Sequence, residues 1–280
     1  YNLGNARLRL GDFAGAISAL EHAAQCGHPS APVHEALGLA LHKSGRYASA
    51  LAAFDRAIKD GPKRAGVYHN RSLTLQALGR VAEAEDNLRT AVSMAPHVAE
   101  SAFALGNFLR NAGRPLDALP YLRRAVELEP GYLLAHQVLN ETLWQAGQGE
   151  SYLASYPAAI YSKPNDRGLR LAYGQQLLRT LRPAEALTEF ETALAMDAQS
   201  PAALDGKAQA LAALGRFEAA NDAAGRAAQL APQDPAIQGR KGELLLRSQR
   251  FGEAIDALRH AISVRPLDQE NLARLSTAYR

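Results

Sequence analysis

The sequence predicts an all-α solenoid of about eight 34-residue helix-turn-helix units, and three observations carry that reading. Leu37-Gly38, Leu105-Gly106 and Tyr173-Gly174 are separated by multiples of 34. Ala stands at one phase in every unit: Ala23, Ala57, Ala91, Ala125, Ala159, Ala193, Ala227 and Ala261. The prolines Pro62, Pro96, Pro130, Pro164, Pro232 and Pro266 share another phase, with His28 and Ala198 in the two remaining slots. No insertion or deletion is needed, so the chain divides into units 31–64, 65–98, 99–132, 133–166, 167–200, 201–234 and 235–268. A partial unit covers 1–30 and a partial or capping helix covers 269–280, and the whole reads as a single solenoid.

Within a unit each element has its own physical signal. The first helix carries apolar residues at i, i+4 spacing, as in Leu37 and Leu41, and its leucine recurs as Leu75, Leu109, Leu143, Leu177, Leu211 and Leu245, with Arg7 the departure. Gly11, Gly45, Gly79, Gly113, Gly147 and Gly215 end that helix, because only glycine enters a left-handed turn freely. Leu181 and Gln249 occupy the same slot and predict a cost of about 1 kcal/mol each if the turn is kept. The second helix follows, as in Ala50, Leu51, Phe54, Ala57 and Ile58, and the closing proline stops it. Small residues at Gly38, Ala50 and Ala57 mark where paired helices touch; Leu and Phe fill the space between units.

Composition agrees with closely packed helices, since the 47% of hydrophobic residues are mostly Ala and Leu and only 6% are aromatic. No apolar run is long enough to span a bilayer and no signal peptide is evident, which predicts a soluble, cytoplasmic chain with no membrane partner. The net charge of +3 arises from 31 cationic and 28 anionic residues interspersed along the length, without the basic stripe that nucleic acid requires. Cys26 is the only cysteine; with no nearby His standing out, it reads as a buried structural thiol of a reducing compartment. The chain starts at Tyr1 and both ends fall inside a repeat, so it reads as a segment whose ends, including Leu272, Leu275 and Tyr279, are suited to end-to-end self-association.

The column pattern resembles the tetratricopeptide-repeat family over the entire chain, with unit 31–64 closest through Leu37-Gly38, Leu41, Gly45, Tyr47, Ala50, Phe54, Ala57 and Pro62. The resemblance implies a right-handed superhelix with a concave groove lined by first helices, and a protein or peptide as partner. Carried onto the family's groove slots, the candidate binding residues are Asn70, Gln76, Phe103, Asn107, Arg110 and Asn111, continuing through Gln137, Glu141, Trp144, Gln145, Gln175 and Arg179. Asn and Gln suit a peptide backbone because an amide both donates and accepts. No three consecutive units supply the family's carboxylate clamp, and only Asn2 and Asn70 match its asparagine ladder. Arg89 and Glu189, on second helices, are expected to face away from the groove.

Unit 133–166 departs from the pattern: Tyr152 replaces the alanine of the column Ala16, Ala50, Ala84, Ala118, Ala186, Ala220, Ala254, and Pro157 falls where it should kink the second helix. This unit reads either as a worn repeat or as a hinge or contact seam, beside Trp144. The eight histidines never fall three or four apart on one helix and glycines never cluster, so no metal, no cofactor and no catalysis by this chain are expected. A second resemblance rests on Leu139–Gly147, Ser155-Tyr156 and Pro266–Gln269, which are similar to the repeat region preceding a putative bacterial 2-oxoglutarate and iron-dependent oxygenase domain; that domain's His-x-Asp motif does not occur here. Three functions remain open: a free adaptor binding a polypeptide, a substrate-targeting arm of a larger bacterial enzyme of oxygenase or glycosyltransferase type, and a chaperone-like carrier of a secreted or assembling partner.

Overall fold

The computed structural model describes residues 1–26 and 30–279, the side chain of Glu150 excepted, and the His28 slot of the proline column lies outside the described residues. All regular structure among the described residues is helical. The chain forms two compact units, Tyr1–Tyr152 and Leu153–Arg280. The first contains the hairpins α1 (Asn2–Arg9) with α2 (Phe13–Gln25), α3 (Ala31–Lys43) with α4 (Tyr47–Asp60), α5 (Ala65–Ala77) with α6 (Val81–Met94), and α7 (Ala99–Asn111) with α8 (Pro115–Leu128). It ends with α9 (Leu133–Gln145) and a short 3-10 turn, Gly149–Ser151. The second opens with α10 (Ser155–Ser162) and continues as α11 (Arg167–Arg179) with α12 (Pro183–Met196), α13 (Pro201–Ala213) with α14 (Phe217–Leu230), α15 (Pro235–Arg247) with α16 (Phe251–Val264), and α17 (Gln269–Ala278).

In the first unit every second helix also packs on the next first helix, and successive first helices α1, α3, α5, α7 and α9 touch in turn. Close approach within a hairpin follows from glycine opposite a large side chain. A Cβ placed on Gly38 would lie 2.7 Å from Phe54, one on Gly106 2.7 Å from Leu122, and one on Gly174 2.8 Å from Phe190. From the two small-residue columns Ala50, Ala57, Ala118 and Ala125 are buried, whereas Ala23 is only partly so.

The left-handed turns form as the glycine column predicts, and the same geometry holds at the two exceptions. Leu181 and Gln249 each have φ 59. At Gly45 the turn is closed by Arg46 N–H donating to the Leu41 carbonyl at 2.9 Å; at Leu181 the Arg182 N–H donates to Leu177 at the same distance. Leu153, with φ 71, adds a third left-handed residue that the repeat pattern does not announce.

Unit 133–166 corrects the expected kink. Its second helix is only eight residues long, Ser155–Ser162, so Pro157 sits in the first turn, where its missing N–H has no helical partner to lose. Tyr152 is not helical at all but caps the 3-10 turn. The register recovers at Tyr156, which is 1% exposed, occupies the column of Phe54 and Phe190, and stacks on Tyr173 with ring centroids 5.3 Å apart. An interior proline exists instead in α8, at Pro120. Cys26 is a second correction: it is exposed at the end of α2, with its Sγ 3.5 Å from His22 Nε2, so helical i, i+4 spacing supplies the neighbouring histidine. At the other end of the chain Leu272 on α17 and Tyr279 just after it are exposed, with the Arg259 guanidinium 5.8 Å from the Tyr279 ring centroid.

Candidate functional site

The first helices of the first unit bring four of the sequence-predicted residues to one place. Gln76 on α5 and Phe103, Asn107 and Asn111 on α7 line a pocket of about 250 Å³. His69, Leu73, Glu100, Ala104 and Phe108 from the same two helices complete its walls, with Leu88 of α6 and Tyr132, the residue preceding α9. Slots 5, 9 and 13 of α7 share one helical face, which is why Phe103, Asn107 and Asn111 reach the same cavity. The Phe103 and Tyr132 rings meet with centroids 5.0 Å apart.

Beside the pocket the predicted polar run forms a connected network. Arg110 Nη1 donates to Glu141 Oε2 at 2.9 Å, and Arg110 Nη2 donates to the side-chain oxygens of Asn107 and Asn111 at 3.1 Å each. Gln137 Nε2 in turn donates to Glu141 Oε1 at 3.2 Å. Arg110 engages both asparagine oxygens, which leaves the Nδ2 of each as the donating end of its amide. Arg110 Nε is buried without a hydrogen-bond acceptor. One guanidinium thereby couples α7 to α9 and holds the amide pair in place.

The remaining predicted residues do not join this cluster. Asn70 is half-buried on α5, and its backbone carbonyl accepts from Thr74 Oγ1 at 3.1 Å. Trp144 is 73% exposed, and its ring meets Tyr152 edge-on at 6.5 Å. Gln145 is exposed next to it. Gln175 and Arg179 lie on α11 in the second unit, where Arg179 donates to Gln176 at 3.4 Å. Of the outer-face residues, Arg89 is half-exposed and paired with Glu85, but Glu189 is mostly buried and accepts from Arg170 at 2.9 Å, so it does not face solvent as expected.

Glu100 and Tyr132 are not among the candidates read from the sequence, whereas His69, 34 residues before Phe103, occupies the same groove position on α5. Burial pushes the His69 pKa down, Glu100 opposing it in part. Burial pushes the Tyr132 phenol up, and the carboxylates of Glu100 and Glu129 push the same way. A comparable arrangement occurs in the second unit, where Arg240 Nε donates to Asp205 Oδ1 at 2.5 Å and Gln209 to Asp205 Oδ2 at 3.0 Å. Burial raises the Asp205 pKa, with Arg240 opposing it. No group of three or more His, Cys, Asp or Glu side chains is placed to hold a metal among the described residues, and no helix is long and apolar enough to cross a membrane.

A tetratricopeptide-repeat family model matches residues 1–65, 69–132 and 171–235. No curated protein matches the sequence. Among solved structures, the yeast Tom70 structure is similar over 95% of this chain and 58% of its own, with TM-score 0.58 and 17% identity. The Cut9-Hcn1 hetero-tetramer of the APC/C is similar over 96% of this chain and 53% of the other, with TM-score 0.53 and 16% identity. The C-terminal part of a TPR repeat-containing protein from Cytophaga hutchinsonii matches over 97% and 98%, with TM-score 0.57 and 11% identity. The chain thus spans little more than half the length of the first two, and identities this low establish the shared fold.

Proposed function

Since the chain belongs to the tetratricopeptide-repeat family and is a protein-interaction scaffold, we propose that it binds a polypeptide segment along the first helices of its first unit, over Gln76, Phe103, Asn107 and Asn111. The observation that carries this reading is the pocket they line together with the Arg110–Glu141 network that fixes the asparagine amides at its edge. A hydrogen bond from each fixed amide to a peptide carbonyl contributes about 1 kcal/mol net, so no single asparagine dominates. The aromatic floor adds apolar burial, which the amides alone lack. The same surface would deliver a substrate if the chain is an arm of a larger enzyme.

A displayed library of random peptides tests the proposal. Peptides selected on the intact chain should lose roughly tenfold or more in affinity when Asn107 and Asn111 are both replaced by Ala. Arg124, an exposed residue of α8 with a 3.4 Å contact to Glu127, supplies the control in place of Glu189. Binding that survives the double substitution but is lost on Arg124→Ala would put the partner on the second helices and overturn the reading.

A further inference from the structure

We propose that the pocket between α5 and α7 is a subsite for a long cationic side chain, arginine or lysine, of the bound peptide; the inference rests on the groove reading above and specifies the partner's chemistry. Size comes first. A cavity of about 250 Å³ lies below the range that holds a drug-sized ligand, so it accepts one extended side chain and not a stretch of backbone. Leu73, Leu88, Phe103 and Phe108 give its lining an apolar part suited to an aliphatic stem.

Charge then selects the head group. Among the residues lining the pocket Glu100 supplies a carboxylate, on an exposed position of α7, and none of them is Lys or Arg. The charged neighbours acting on Tyr132 are Glu100 and Glu129, with no cation among them. The Arg110 guanidinium lies at the Asn107–Asn111 end of the pocket, ten residues along α7 from Glu100, and its charge is paired with Glu141. The partial charge of the α7 N-terminus offsets only part of the Glu100 carboxylate. An acidic occupant would meet that carboxylate as a like charge, and an apolar one would leave it without a partner in the pocket; a guanidinium or ammonium pairs with it. The tilted Phe103 and Tyr132 rings offer π faces that favour the same ion, arginine above lysine.

The test uses the full chain and capped peptides Ac-Ala-Ser-Ala-Xaa-Ala-Ser-Ala-NH2 with Xaa as Arg, Lys, Leu, Trp or Glu, followed by calorimetry and by NMR mapping at low salt. The Arg peptide should bind at least tenfold more tightly than the Leu peptide, Lys should fall between them, and Glu should bind least. Glu100→Gln should reduce the Arg-over-Leu ratio at least fivefold without moving the Leu peptide, and raised salt should do the same. Phe103→Ala should weaken the Arg and Leu peptides alike. If Leu or Trp binds as tightly as Arg, or Glu100→Gln leaves the ratio unchanged while resonances of α5 and α7 still shift, the cation subsite is wrong and the groove stands. If shifts map to second helices, or no peptide binds at millimolar concentration, both are wrong.

Discussion

Three residues in left-handed turns separate backbone strain from packing. Leu181 is 88% exposed and Gln249 is exposed, so neither gains much burial from its side chain, yet both hold φ near 59. Leu181→Gly and Gln249→Gly should each stabilise the chain by up to about 1 kcal/mol, part of the relief being offset by the greater freedom of glycine in the unfolded state. Leu153 has the same sign of φ but is 2% exposed. There, burial of a leucine, about 2 kcal/mol, outweighs the strain, and Leu153→Gly should destabilise in thermal melts of the same series. Buried histidines set a pH dependence at this scale. Burial lowers the pKa of His136, whose Nε2–H donates to the Pro130 carbonyl at 3.0 Å and opposes the shift in part; burial also lowers those of His42 and His69. Below the unfolded value of 6.5 the unfolded chain takes up protons that the native chain refuses, so stability is full above that pH and is lost as pH falls toward the native pKa values. Melting temperatures should therefore drop between pH 7.5 and 5.5. The drop should shrink in His136→Gln, which keeps a donor for Pro130 but cannot titrate; an equal drop in that variant would assign the effect elsewhere.

At the scale of helices, what the sequence shows depends on whether a device repeats in phase. Gly106 and Leu122 belong to columns, and their contact is readable from composition alone. A Cβ on Gly106 would also meet the Ala118 carbonyl oxygen at 3.2 Å, which backbone cannot readily yield, so Gly106→Ala should cost about 1–3 kcal/mol. Gly225, in mid-helix on α14 with open space around its Cβ, should show the opposite sign: Gly225→Ala should stabilise by about 0.5–1 kcal/mol. Chemical denaturation of the two variants checks both signs. That Phe103, Asn107 and Asn111 share one face of α7 was likewise legible, because their spacing of four decides which side of the helix they occupy. The Arg110 hub was not, since its pairing depends on charges one unit apart but out of phase. Arg110 with Glu141 and Arg274 with Glu243 are both 31 residues apart, while Arg64 with Glu35 and Arg114 with Glu85 are both 29. A search for opposite charges at those offsets would have found them. An Arg at the N-cap with Glu or Asp three residues on, as in Arg80–Glu83, Arg114–Asp117, Arg182–Glu185 and Arg250–Glu253, is another repeated device that slot-by-slot reading passed over. The shortened α10 escaped because Pro157 marks a helix start as readily as a helix break.

For the whole molecule, the consequence of a repeat architecture is that stability is local, since among the described residues the helix contacts run between hairpins adjacent in sequence. Cooperativity then fails where a unit lacks its regular partner helix. That place is unit 133–166, where the second helix has 8 residues against 14 in α8 and α12, and the chain passes through the 3-10 turn and the left-handed Leu153. The two compact units meet in sequence at this point, between Tyr152 and Leu153. Unfolding in guanidinium chloride should therefore proceed in two transitions. Leu181→Gly should move only the transition of the second unit to higher denaturant, and Gly106→Ala should move only that of the first to lower denaturant, when each is followed by hydrogen exchange resolved along the sequence. If both substitutions shift one shared midpoint and exchange protection is lost along the whole chain together, the irregular repeat is energetically equivalent to the others, and the departure at Tyr152 and Pro157 is a worn repeat and nothing more.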